Sequence, residues 1–62
     1  MDFNSIYARY VIWSGKDNMY VGPNSEMWRV ALRQDAQRFT KQKAIEYIER
    51  ENDDSFLIED AT

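Results

Sequence analysis

Two carboxylate pairs, Asp53–Asp54 and Glu59–Asp60, are the side chains of this chain best suited to acid–base chemistry or to holding a hard cation. Paired carboxylates can act as acid and base when their surroundings push their pKa values apart. They can also ligate calcium or magnesium. The neighbouring residues support neither role. The stretch "ENDDSFLIED" lacks the alternating oxygen ligands and the glycine of a calcium loop. The chain has no histidine and no cysteine, which removes the usual nucleophile–base arrangements, disulfides and most transition-metal sites. The expectation is a protein that is not an enzyme, with no catalytic residue, no cofactor and no metal.

Binding chemistry is better represented. Arg29, Arg33, Arg38, Lys41 and Lys43 fall close together, with Asp35 the only acid among them. Aromatic residues on a sheet beside basic ones can hold a single strand of nucleic acid by stacking and phosphate contact. The overall charge of −3 opposes that use, and so does the acidity of residues 51–62, where Glu51, Asp53, Asp54, Glu59 and Asp60 stand without a base. Aromatics make up 15% of the chain, and such residues are also the anchors of protein interfaces.

The elements that would carry these groups begin with "IYARYVIW", rich in aromatic and β-branched residues and so predicted to be a strand. A half-buried strand alternates apolar and polar residues; this one does not. One face carries Ile6, Ala8, Tyr10 and Ile12, the other Tyr7, Arg9, Val11 and Trp13. "SGKDN" supplies turn residues, and "MYVG" returns as a short strand, completing a hairpin with a loop of about five residues. Residues 26–39 support two readings. As a helix, Trp28, Leu32, Ala36 and Phe39 share one stripe. As a strand, "MWRVAL" alternates and adds a third member to the hairpin, which a lone hairpin needs. Periodicity favours the helix. "TKQKAIEYIERE" is a helix capped by Thr40, with Phe39 and Ala44 at the spacing of a hydrophobic staple. Its buried stripe is expected to be Ala44, Ile45 and Ile48 with Tyr47 at the edge, and Glu46–Arg50 a solvent-facing pair. "SFLIED" can form a last strand over 55–58, with Phe56 and Ile58 inward and Leu57 outward.

Several of these pieces resemble a loose group of small uncharacterised bacteriophage and prophage proteins. Their pattern is a hairpin "YVI…YV", then "A-x-R-F-T" into a helix with a "K-x-A-x-x-Y-I" motif, then an "F-x-I" strand. Here the pieces are Tyr10–Ile12 with Tyr20 and Val21, Ala36–Thr40, Lys43–Ile48 and Phe56–Ile58, the helix motif being one residue tighter. The resemblance covers most of the chain but consists of core and capping residues, so it implies a fold and not an activity. It implies strand around Trp28 to Leu32, and an accessory role such as blocking a host or anti-phage defence enzyme in the bacterial cytoplasm.

The chain of 62 residues allows one domain and one small core, burying ~60% of the surface the unfolded chain exposes. Stability is expected on the order of 3–5 kcal/mol. The longest apolar run, "YVIW", is too short to cross a membrane. The expected fold is α+β: a small antiparallel sheet of a hairpin plus one or two short strands, with one helix packed on one face and an acidic tail over 51–62. The tail is read as solvated, or as an imitation of a phosphate backbone offered to a basic partner. With the helix on the Tyr10–Ile12 face, the expected partner-binding surface is Tyr7, Arg9, Val11 and Trp13. Its occupant would be another protein, or a second copy meeting it face to face. Single-stranded nucleic acid is the alternative.

Overall fold

The computed structural model describes residues 8–61. Strand β1 (Tyr10–Ser14) turns into β2 (Met19–Val21), and β3 (Arg29–Val30) follows. A 3-10 turn at Arg33–Asp35 leads to helix α1 (Lys41–Glu51), and β4 (Phe56–Asp60) closes the chain. The four strands form one antiparallel sheet in the order β3-β2-β1-β4. The fold is α+β, as the sequence predicts. Ile6 and Tyr7, placed in the first strand by sequence, lie outside the described residues. Ala8 and Arg9 precede β1, which opens at Tyr10.

The β1–β2 hairpin is closed by the pairs Trp13–Tyr20 and Ser14–Met19. Ser14 therefore belongs to the strand, and Asn18 turns the loop in the left-handed region at φ 55°, which asparagine tolerates better than most residues. The β2–β3 link needs glycine at position 22. A side chain there would overlap the Met27 carbonyl, because the Gly22 N–H donates to the Trp28 carbonyl at 2.8 Å. Asn24 Oδ1 fastens the same link by accepting from the Glu26 and Met27 N–H groups at 3.0 and 2.8 Å.

Residues 26–39 are not a helix. They supply the two residues of β3 and the 3-10 turn, then return along the sheet. Gln37 N–H donates to the Val21 carbonyl, and Phe39 and Tyr10 exchange backbone hydrogen bonds in an isolated bridge. The strand reading holds at Arg29–Val30, and the stripe of the helical reading is broken: Trp28 and Leu32 are exposed while Ala36 is buried.

Helix α1 starts where its cap predicts. Thr40 is extended, and its Oγ1 accepts from the Lys43 N–H at 3.2 Å. Asn52 ends it in the left-handed conformation, its N–H donating to the Ile48 carbonyl, a C-terminal stop open to asparagine. The buried stripe is turned from the one expected. Ala44, Tyr47 and Ile48 face the sheet, and Ile45 stays 43% exposed. Glu46 lies 3.8 Å from Lys43 rather than against Arg50, which stands over the Tyr47 ring and beside Glu51.

Two small cores result, one on each side of β1. On the helix side Ile12, Val21, Ala44 and Phe56 are buried, with Phe39, Tyr47, Ile48 and Ile58 packed on them. On the other side Val11, Val30 and Ala36 are buried against Tyr20 and Ala61. Ile12 and Val11 are both 0% exposed, so β1 is apolar on both faces because both faces of its middle are covered.

The acidic tail is also corrected. Its second half is β4, paired with the whole of β1 from Tyr10–Asp60 to Ser14–Phe56. Phe56 is buried, Ile58 packs on the helix-side core and Leu57 is 59% exposed, the inward–outward order read from sequence. Besides Glu51 beside Arg50, three of its acids meet bases distant in the chain: Asp53 with Lys16 at 3.1 Å, Glu59 with Arg33 at 3.4 Å and Asp60 with Arg9 at 2.8 Å.

Ile12→Ala removes a fully buried side chain and should destabilise the chain by about 2–4 kcal/mol. Ile45→Ala should change stability by less than about 0.5 kcal/mol. Urea melts of the two variants check the orientation of the helix; equal losses would contradict it.

Candidate protein-binding face and its polar anchor

The sheet face away from the helix is built by register. Because alternate residues of a strand share a face, the pairs Val30–Tyr20, Tyr20–Trp13 and Trp13–Leu57 set four apolar side chains in one row across all four strands. Val30 is buried under the returning segment. Tyr20 and Trp13 are half-buried and meet edge to face, with ring centroids 4.9 Å apart at 71°, a favourable geometry for aromatic pairs. Leu57 ends the row in solvent. The Tyr20 hydroxyl donates to Glu59 Oε1 at 3.0 Å, and Arg33 approaches the same carboxylate. Beside Tyr20 the row continues into an open groove of about 520 Å3 lined by Ala31, Leu32, Arg33, Gln34, Arg38 and Ala61.

The residues singled out by sequence divide over this arrangement. Trp13 holds the centre of the row. Val11 shares its face but is fully buried under Val30 and Ala36, so it is a core residue and no contact for a partner. Arg9 is ion-paired with Asp60 at the edge strand. Tyr7 lies outside the described residues.

The basic cluster is dispersed. Arg29 points to the helix side, its side chain only 9% exposed. Its Nε donates to Asp17 Oδ2 at 2.7 Å, and its Nη1 to the Trp28 carbonyl at 2.9 Å and the Tyr47 hydroxyl at 3.4 Å. The guanidinium stands over the rings of both Trp28 and Phe56, at 4.5 and 5.5 Å. Ser14, which is fully buried, donates its hydroxyl to the same Asp17 oxygen at 2.8 Å. This network ties the hairpin loop, β3 and α1 together, and it takes Arg29 out of any phosphate-binding role. Sequence reasoning missed it because Asp17 and Arg29 meet only once β2 and β3 are paired. The one local signal was Arg29 itself, between apolar neighbours in an alternating stretch. Trp28, stacked on that guanidinium, is 55% exposed.

Neither carboxylate pair works as a pair. Glu59 and Asp60 are neighbours on a strand and point to opposite faces, toward Arg33 and Arg9. Asp53 accepts from the Ser55 N–H at 2.8 Å and contacts Lys16. Among the described residues no three carboxylates gather as a metal-holding group, and no helix is long and apolar enough to cross a membrane.

Comparison with protein-family models, curated proteins and solved structures finds no match for this chain.

The Arg29 guanidinium, and after it the Ser14 hydroxyl, hold the Asp17 carboxyl below the usual carboxylate range. A depressed carboxylate stabilises the folded state above its unfolded pKa of about 3.9, and that contribution is lost as pH falls through the folded value. Asp53 is shifted the same way, first by the Ser55 N–H. Stability should therefore fall as the pH drops below about 4, with a shallower acid slope in Asp17→Asn. Chemical melts of both proteins across acid pH check this; parallel slopes would place the linkage elsewhere. Arg29→Ala leaves Asp17 without its cation and removes the packing on Trp28 and Phe56, and should lower the urea midpoint near neutral pH; an unchanged midpoint would contradict the anchoring role.

Proposed function

We propose that this chain is a non-catalytic protein-binding domain that uses the sheet face around Trp13, Tyr20 and Leu57. The observation that carries the reading is the register that sets Leu57, 59% exposed, directly beside Trp13 in the row. An aromatic locked by a second ring next to an open aliphatic side chain is a rigid anchor site of the type found at binding hot spots. The neighbouring groove adds Leu32 and Arg38, so the matching surface offers an apolar anchor with a carboxylate beside it. Arg38 has no ion-pair partner among the described residues and can receive that carboxylate.

Protein is favoured over single-stranded nucleic acid by the state of the cations. Arg9, Arg29 and Arg33 are engaged by Asp60, Asp17 and Glu59, which leaves Arg38 of the groove to meet an anion, fewer cations than a strand of phosphates needs along an aromatic row. The resemblance to phage and prophage proteins extends the proposal to the identity of the partner, a host or defence enzyme held by a small non-catalytic blocker.

The experiment is capture from bacterial lysate, identification by mass spectrometry, and titration of the purified partner. Trp13→Ala should weaken that binding by about 2 kcal/mol or more, roughly thirtyfold, while its melting curve shows a loss below about 1 kcal/mol. Tyr10→Ala, on the helix side, should instead lose the fold. Retained affinity in folded Trp13→Ala would refute the face. Steeply salt-dependent binding of a single-stranded oligonucleotide, with no protein captured, would refute the class of partner.

A further inference from the structure

Among the described residues, one edge of the sheet exposes a longer run of strand than the other. At the other border β3 is two residues long and its chain turns away into the 3-10 turn. Strand β4, five residues long, pairs with β1 on one side only. Its hydrogen-bond phase follows from the flanking bonds. Ala61 N–H donates to the Arg9 carbonyl, and Gly15 N–H to the Ser55 carbonyl. Residues 55 and 61 thus turn their backbone groups toward β1, and by alternation so do Leu57 and Glu59. Phe56, Ile58 and Asp60 turn their N–H and C=O outward, and among the described residues no backbone or side-chain group meets those of Phe56 and Ile58.

From this phase we infer that β4 pairs antiparallel with β4 of a second copy of the same chain, on a two-fold axis passing through Leu57. An antiparallel two-fold keeps like faces together. In this register Phe56 of each copy exchanges both backbone hydrogen bonds with Ile58 of the other, which satisfies the outward groups of these two residues in each strand. Leu57 meets Leu57 of the second copy at a non-hydrogen-bonded position, where side chains approach most closely. Leu57, exposed at 59%, thereby gains an apolar neighbour along the row and stays on the open face beside Trp13. The opposed pairs at the centre are all apolar. Asp54 approaches Asp60 of the second copy only at the ends, and Asp60 carries Arg9 with it.

Because β3 offers no comparable edge, the pairing closes at two copies and does not propagate. The product is a continuous eight-stranded sheet with both helices on one side. The two Trp13 residues then stand on the opposite side, three strand spacings or about 14 Å apart.

Sedimentation equilibrium of the full chain, over a series reaching millimolar concentration, tests the pairing on three proteins. The wild type should pass from monomer to dimer without larger species, and salt should tighten the dimer by screening its terminal acids. The chain is short enough for total synthesis, so the Ile58 amide can be N-methylated. That change removes an outward donor and leaves the β1 ladder and the side chain in place. It should weaken association by about tenfold or more, and Leu57→Lys should do the same with the melting curve unchanged. A wild type that stays monomeric through the series overturns the inference. So does an unchanged association constant in either folded variant. A dimer lost in Leu57→Lys but kept with the N-methylated amide would assign contact to the sheet face instead of the edge.

Discussion

The structure depends on one constraint: among the described residues β1 is an interior strand of a sheet only four strands wide, and there is a single α-helix with which to cover it. The helix can shield one face. It does so with Ala44, Tyr47 and Ile48 over Ile12, Val21 and Phe56. The apolar residues of the second face then need another cover. The segment 29–39 provides it, as a two-residue strand and a 3-10 turn followed by a return in which Phe39 pairs with Tyr10. A helix over 26–39 would satisfy its own backbone but would lose the Val30 and Ala36 contacts with Val11. Burial outweighs local propensity in a chain where each buried side chain contributes about 1.5–3 kcal/mol.

That cover is incomplete, and its limit defines the binding face. It reaches Val11 and stops short of Trp13 and Leu57. Tyr20 stands at the border, its ring against Trp13 and its hydroxyl on Glu59. On the helix side a different economy holds. Arg29 is almost enclosed, yet its donors reach Asp17, Tyr47 and a carbonyl, and aromatic rings lie on it. A buried charge is tolerated when its hydrogen bonds are satisfied. Here a guanidinium does the packing work of a large apolar residue while joining a loop, a strand and a helix.

Local signals were legible in the sequence. The Thr40 cap with Phe39 before it, the Asn–Asp turn chemistry of the hairpin, and the alternation of Phe56, Leu57 and Ile58 each need only neighbouring residues, and each is found in place. What was not legible depends on rotation or on partners distant in the chain. Ala44, Ile45, Ile48 and Ala44, Tyr47, Ile48 are both continuous helical stripes, and only the sheet decides between them. The acids of 51–62 read as a solvated tail because Lys16, Arg33 and Arg9, which meet three of them, lie far earlier in the chain. The candidate face is legible as a strand with two apolar sides; that Val11 belongs to the core, and that Leu57 lies beside Trp13, follows from contacts and register between distant segments.

The divided second face is the centre of this account, and solvent access at three side chains measures it directly. With a soluble nitroxide added to the protein at a concentration where it is monomeric, nuclear magnetic resonance signals broaden in proportion to their exposure. The Leu57 methyl and Trp13 indole signals should be attenuated strongly, and the Val11 methyl signals should be as protected as those of Ile12. Attenuation of Val11 to the level of Leu57 would mean that residues 30–36 do not cover the sheet, and the account would fail at its base.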